Sequence, residues 1–323
     1  MSNSTSHVLH VWRLDGQGGG VSCELGQAMD ATDAVVWVHL DYGEPGAEDW
    51  IRENGGMDPA TLEALISPDP RPRCVLIGDG LFVVLRGINL NDGSAPEDMV
   101  SLRLWIQAKR MVSVRRRRVR VVAELSEQLI AGNGPRDVGD LLVQVVVGIN
   151  ERISAAVGGL DDQADALEEA MLTVGSRELR SRIGALRRDA IALRRYIAPQ
   201  REAVSRLQSE RVSWLSDLDR ARLREAADRL TRCFEDLDSA RDRAAVTQEE
   251  LTNRIAEQMN GTMYVLSVVA AIFLPLGLLT GLLGINVGGM PGVDSPYAFA
   301  IVCIILVALG VGLALYFRRR RLI

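Results

Sequence analysis

The sequence contains few of the residues that build catalytic and metal-binding sites. Its 323 residues include four cysteines and three histidines, and the cysteines lie far apart without a CxxC pair. This spacing excludes a four-cysteine zinc site and is typical of reduced cytosolic thiols. There is no nucleophile elbow, Walker sequence or zinc-protease motif, which excludes an ATP-driven pump and leaves no enzymatic reaction to assign.

The sequence contains almost no lysine. Lys109 is the only lysine, and the formal net charge is −5, which argues against nucleic acid as a partner. The arginine run 115–118, with Arg120, leaves two interpretations open. It either contacts anionic lipid or nucleic acid, or it is a solvated edge between a strand and a helix or a partner for acidic helices of another subunit. Residues 1–20 have no apolar stretch, so we expect no cleavable signal peptide.

Charged residues are also missing from two long apolar runs near the C-terminus, 263–283 and 298–317. Each run is about 30 Å long as a helix, which matches the hydrocarbon core of a bilayer. The 14 residues between them, 284–297, contain no Lys or Arg, and Arg318 to Arg321 follow the second run directly. Because basic residues stay on the cytoplasmic side, we predict a multi-pass protein of the inner or plasma membrane with both termini in the cytoplasm.

Residues 1–133 are predicted to form a cytosolic α/β domain built around a β-sheet. Asp79-Gly80 between two apolar runs indicates a hairpin. The predicted strands are Val8–Leu14, Ala34–Leu40, Cys74–Ile77, Leu81–Leu90, Val100–Gln107 and Met111–Val114, and the predicted short helices are Ala47–Glu53 and Pro59–Ile66.

Residues 134–262 are predicted to form long cytosolic helices. Two amphipathic segments, Val138–Leu172 and Ser176–Leu207, meet near Gly175, and Pro199 is expected to kink or interrupt the second. No Gly or Pro occurs from residue 200 to 260. A single stalk helix is therefore expected to run from about Leu215 into the first membrane span and to end at Leu283.

The segment 260–292, NGTMYVLSVVAAIFLPLGLLTGLLGINVGGMPG, resembles the pore helix and signature loop of the CorA superfamily of divalent-cation transporters. Most of that superfamily has Gly-Met-Asn after the first span, and the Gly284-Ile285-Asn286 found here is similar to its zinc-transporting ZntB branch. The Met290-Pro291 pair and the basic tail 318–323 also match. The resemblance implies a homopentameric funnel in which residues 284, 285 and 286 form the selectivity filter of the outer loop 284–297.

The same resemblance identifies the first span as the lining of the pore. Asn260, Met263, Ser267, Ala270, Leu274, Gly277 and Gly281 recur in steps of three or four and share one helix face. Positions carried over from the family are Asn260, Met263, Leu266, Ala270, Leu274, Gly277, Gly281 and Asn286. Met263 and Leu274 are expected to act as hydrophobic constrictions. Helix packing through the small residues is the alternative.

Acidic residues on the same stalk face extend the stripe toward the N-terminus. Glu249 matches a family position where an acidic ring lies below the pore, and Asp242 and Glu235 precede it in steps of seven. Repeated in an oligomer, they would be metal-attracting rings of a cytosolic funnel. The alternative for these acidic residues is an ordinary solvated helix face. A zinc site formed by His7 and His10 is a separate candidate elsewhere in the chain.

Together with these patterns, the resemblance implies uptake of zinc, with or without proton coupling, through the central pore of a homopentamer in the lipid bilayer. No cofactor is expected beyond the transported cation. The alternatives are a magnesium, cobalt or nickel channel of the same fold, or zinc efflux. A membrane-anchored sensor is disfavoured because the 14-residue outer loop leaves no room for a sensing domain.

Overall fold

A computed structural model of the chain describes residues 7–26, 34–171, 176–285, 292 and 295–319. The chain divides into two compact units, Met1–Gln248 and Glu249–Ile323.

The first unit contains a seven-stranded sheet with the order β2-β1-β3-β7-β6-β5-β4. All neighbouring strands are antiparallel except β3 and β7, which are parallel in the register Val38↔Val112. The strands are β1 (Val8–Leu14), β2 (Gly20–Ser22), β3 (Val36–Asp41), β4 (Arg73–Ile77), β5 (Gly80–Gly87), β6 (Val100–Gln107) and β7 (Arg110–Arg115).

Both faces of the sheet are covered by helices. The short helices α1 (Ala47–Asn54) and α2 (Pro59–Ile66) pack through Ile51, Leu62 and Leu65 on one apolar face. The other face meets α3 (Arg120–Ala131), α4 (Val138–Ala170) and α5 (Ser176–Ser209). The six predicted strands and two predicted short helices are confirmed to within a few residues, whereas β2 and α3 were not predicted.

The predicted hairpin is present, with its turn one residue earlier than the Asp79-Gly80 pair suggests. Ile77 pairs with Gly80, so Gly78 and Asp79 form the two-residue loop, and Gly78 has a φ of 61°. Gly80 lies against the indole of Trp105, where an added Cβ would approach the ring to 2.3 Å. Glycine is therefore needed at position 80 for close packing.

The long helices occur as predicted, with one exception. The helix α6 (Asp217–Leu283) is 67 residues long and begins at a capping box in which Ser216 and Asp219 exchange side-chain-to-backbone hydrogen bonds of 3.1 Å. The helix α5 continues through Pro199, so the interruption allowed for in the prediction does not occur. Ile197, Gln200 and Val204 on either side of the proline are fully buried, and this packing holds the helix together.

Within the first unit α6 is attached to α4 by polar contacts along its length. Asn150 Nδ2 donates to the carbonyl of Ala226 at 3.1 Å. Further along, Arg243 forms ion pairs with three carboxylates of α4, those of Asp161, Asp165 and Glu168. The hydrogen-bonded carboxylates of Glu168 and Asp165 raise the pKa of the Arg243 guanidinium.

The sheet is joined to α5 by one buried hydrogen bond. The pairing of β4 with β5 ends at Val84, so the N–H of Arg86 has no strand partner on that side and donates to Gln200 Oε1 at 2.6 Å. The Arg86 guanidinium lies 4.5 Å above the Tyr196 ring and donates to the carbonyl of Met99. The fully buried Gln200 thus completes the hydrogen bonding of β5.

We predict that Gln200→Leu destabilises the protein by about 1–3 kcal/mol, because it leaves the buried Arg86 N–H without an acceptor. Thermal or urea unfolding of the purified protein in detergent measures the change. Gln208→Leu is the matched control on the same helix, since the Gln208 side chain makes only an exposed 3.4 Å contact with Arg224. Equal stability of the two variants would show that the bond from Arg86 contributes nothing.

Candidate functional site

Three helices in the described part of the chain are long and apolar enough to cross a membrane: α4, α6 and α7 (Ala298–Arg319). Half of the apolar window of α4 is buried within its own unit, whereas none of the apolar window of α6 or α7 is buried. The apolar surface of α4 is thus used for packing on the sheet. The two C-terminal helices are therefore the ones whose apolar surface stays uncovered over a length that could cross a membrane.

The two apolar helices of the second unit pack through one side of each. The partly buried residues of α6 are Val268, Ala271, Ile272, Pro275, Leu276 and Leu279. On α7 the partly buried residues recur from Val302 to Phe317, and a Cβ added at Gly310 would lie 3.7 Å from Leu276 Cδ1. This side of α6 is therefore occupied by α7 of the same chain.

The predicted pore stripe lies on the other side of α6. At 100° per residue it is roughly opposite the side that faces α7. Met263, Leu266 and Leu274 are 65%, 67% and 72% exposed. The remaining predicted lining residues, Asn260, Ala270, Gly277 and Gly281, are exposed as well. The structure thus brings all seven predicted positions of the helix to surfaces that the chain itself does not cover.

The small residues of the stripe are not used for packing inside one chain. A Cβ added at Gly277 or at Gly281 would meet no atom within 4 Å. Contact with α7 is made instead from the Leu276 side of the helix. If these glycines pack against a helix, that helix belongs to another copy.

The predicted filter begins where α6 ends. The N–H of Gly284 donates to the carbonyl of Thr280 at 2.9 Å, and an added Cβ would lie 3.0 Å from that oxygen, so close approach favours glycine here. Ile285 follows with its side chain 48% exposed. Asn286, the predicted ligand for the hydrated ion, lies outside the described residues.

The two acidic positions differ in their environment. Glu249, in the second unit, is exposed and has no hydrogen bond or ion pair among the described residues. Asp242, in the first unit, is exposed but accepts two hydrogen bonds from Arg241, the shorter at 2.8 Å. The neighbouring Arg241 neutralises Asp242, a pairing that was not predicted although the adjacent charges are visible in the sequence.

The histidines lie in the sheet of the first unit. His10 stacks on His39 with ring centroids 6.2 Å apart, and His39 Nδ1 is 2.7 Å from Ser113 Oγ. Burial, together with the nearby Arg115, lowers the pKa of both His10 and His39. Within residues 7–26, 34–171, 176–285 and 295–319, no group of three or more His, Cys, Asp or Glu side chains is arranged to hold a metal ion. The alternative of a zinc site at His7 and His10 therefore has no support in the described residues.

Comparison with known proteins gives consistent matches along nearly the whole chain. A family model described as CorA-like Mg2+ transporter protein matches residues 32–319. The divalent cation transporter CmaX of Pseudomonas aeruginosa is 38% identical over 308 residues, which cover 93% of this chain and 92% of the relative. The zinc transport protein ZntB of Yersinia enterocolitica is 36% identical over 316 residues, which cover 98% and 96%.

Solved structures agree with these matches. The structure of the full-length CmaX protein is 37% identical and superposes with a TM-score of 0.85 over 99% of this chain and 100% of that chain. The complete CorA magnesium transporter of Methanocaldococcus jannaschii, at 16% identity, has a TM-score of 0.83 over 96% and 98%. At that identity the second likeness shows the fold alone. The predicted fold, an N-terminal α/β domain followed by a long helix and terminal helices, is confirmed.

We predict that Gly310→Leu weakens the packing of α7 on α6 by about 1–3 kcal/mol, because a side chain larger than a methyl group collides with Leu276. Thermal unfolding in detergent measures the effect. Gly312→Leu, on the same helix, is the control, since nothing lies within 4 Å of the Cβ it would add. The packing described above would be contradicted if the Gly312 variant lost as much stability as the Gly310 variant.

Proposed function

The chain belongs to the CorA-like Mg2+ transporter protein family and transports divalent cations, and we propose that it takes up zinc through a central pore shared by five identical copies. The observation that carries the proposal is the uncovered stripe from Asn260 to Gly281, which lies opposite the side of α6 occupied by α7. The relatives are transporters and not enzymes, which agrees with this proposal.

One copy cannot enclose a pathway, because two helices leave the stripe open on one side. Copies related by rotation about an axis beside the stripe would enclose it, with α6 inside and α7 outside as a ring facing lipid. The number five follows from the resemblance to the CorA superfamily. In this arrangement residues 1–133 and 134–262 are cytosolic, residues 263–283 and 298–317 span the inner membrane, and both termini are cytoplasmic.

The chemistry of the stripe favours a hydrated ion. From Gln258 to Val293 the sequence contains no Asp, Glu, Lys, Arg or His. A bare divalent ion in such a lining would lose its water without gaining charged ligands, which is too costly. The ion therefore keeps its water shell, passes constrictions at Met263 and Leu274, and meets the amide of Asn260 at one end and the filter of Gly284, Ile285 and Asn286 at the other.

Zinc is favoured by association and not by ligand chemistry. The relative from Yersinia enterocolitica is named a zinc transport protein, and the Gly-Ile-Asn sequence is similar to that branch. Ile285 itself has no atom that coordinates a metal. The CmaX relative is described only as a divalent cation transporter, so magnesium, cobalt or nickel conduction is the second candidate. A membrane potential that is negative inside drives a divalent cation inward, which favours uptake over efflux.

Purified protein in liposomes tests the substrate and the driving force. We expect zinc influx that increases with an inside-negative potential and, if protons are coupled, with an imposed pH gradient. Asn286→Ala is expected to abolish influx without preventing assembly, because it removes the amide ring of the filter. Magnesium influx faster than zinc influx would refute zinc as the substrate. Zinc influx that does not change with an imposed pH gradient would refute proton coupling.

We expect Glu249→Gln to reduce influx about threefold at 10 mM salt and much less near 1 M salt, because an exposed carboxylate ring concentrates cations and is screened by ions. Initial rates of influx at the two salt concentrations measure this. Glu250→Gln is the matched control, as Glu250 lies on another side of the helix and pairs with Arg254 at 3.7 Å. Asp242→Asn is expected to have a smaller effect than Glu249→Gln, since Arg241 already neutralises Asp242. A loss that is equal at both salt concentrations would contradict the electrostatic role of Glu249.

A further inference from the structure

The first membrane span contains two aliphatic hydroxyl side chains, Ser267 and Thr280, and they differ in position. Ser267 lies on the stripe between Met263 and Ala270, whereas Thr280 is turned about 140° away from Ser267 around the helix axis. Both are exposed in the single chain. Thr280 therefore provides an internal comparison for any role that depends on facing the pore.

The hydroxyl of Ser267 donates its only proton to a hydrogen bond within its own helix. Ser267 Oγ donates to the carbonyl of Met263 at 2.8 Å, so its two lone pairs are left as acceptors directed away from the helix. Water molecules bound to a cation point their hydrogen atoms outward. A ring of acceptors is thus what the surface of a hydrated cation needs, and a ring of free donors would repel it.

The position of Ser267 divides an otherwise apolar section of the stripe. Met263 and Leu274 are eleven residues apart, or roughly 16 Å along the helix. Ala270 and Leu266 add no polar atom to this section. A continuous apolar constriction of that length tends to lose its water, and Ser267 divides it into sections of roughly 6 Å and 10 Å.

We propose that Ser267 forms a ring of hydroxyl acceptors that keeps the pore wet between Met263 and Leu274 and holds the hydrated cation there on its way through. The proposal rests on the proposed function, because the ring exists only if α6 lines a shared pore. It adds to that function a second polar station, separate from the filter at Gly284 to Asn286. It also explains why an uncharged pore conducts a divalent cation at all.

Ser267→Thr and Ser267→Val test the ring, because threonine and valine have nearly the same shape and differ in the hydroxyl. Initial rates of zinc influx into liposomes are expected to be close to wild type for the threonine variant and roughly tenfold lower for the valine variant. Thr280→Val is the matched control and is expected to keep wild-type influx. Size-exclusion chromatography and thermal unfolding establish that all three variants assemble as the wild type does.

Equal influx through the threonine and valine variants would overturn the acceptor ring, as would a loss in Thr280→Val as large as that in Ser267→Val. Ser267→Asn is a second variant that retains a polar acceptor in a different shape, and it is expected to exceed the valine variant in influx. Failure of the proposed function gives a different result, since wild-type protein would then show no influx above empty liposomes. The two failures are therefore distinguishable in one experiment.

Discussion

The structure depends on one constraint, which is that within each unit α6 is covered by its own chain along one side. In the first unit, Leu223, Leu230, Leu237 and Ala244 recur in steps of seven and are buried. In the second unit, Val268, Ile272 and Leu279 have the corresponding role beside α7. Because a helix side that is packed cannot also face a pore, the uncovered side of α6 in the second unit is the one available to the proposed pore. That remaining side carries the stripe and Glu249.

The sequence predicted the elements whose signal is local. Alternating apolar residues gave the strands, and two uncharged runs gave the membrane helices, because both patterns follow directly from burial. The sequence analysis did not predict α3, because this helix follows directly on an arginine run that was interpreted as a charged surface. It also allowed an interruption at Pro199, which tertiary packing of Ile197 and Gln200 overrides. The site was predictable to the extent that the stripe is a property of one helix, whereas the pairing of Asp242 with Arg241 required side-chain geometry.

The arginines have two roles: some pack in the core of the first unit, and others form ion pairs with carboxylates. Arg103 is fully buried, stacks on Tyr42 and donates to the Leu65 carbonyl. Arg243 instead forms ion pairs with three carboxylates of α4, and these ion pairs fix the position of α6 along α4 within the first unit. These contacts make the three carboxylates of α4 unavailable to cations. Glu249 differs from these carboxylates in having no positive partner among the described residues.

In the proposed pore, an uncharged lining limits discrimination among cations. Zinc differs from magnesium mainly in its preference for nitrogen and sulfur ligands, and the stripe offers neither His nor Cys. Discrimination must therefore act on the water shell, through the spacing and orientation of acceptors that contact it. The amides of Asn260 and Asn286 and the hydroxyl of Ser267 are the side-chain acceptors that the stripe and filter provide. Since a shell contact is weaker than direct coordination, a pore of this kind passes several divalent cations and owes its preference to differences in how firmly each ion holds its water.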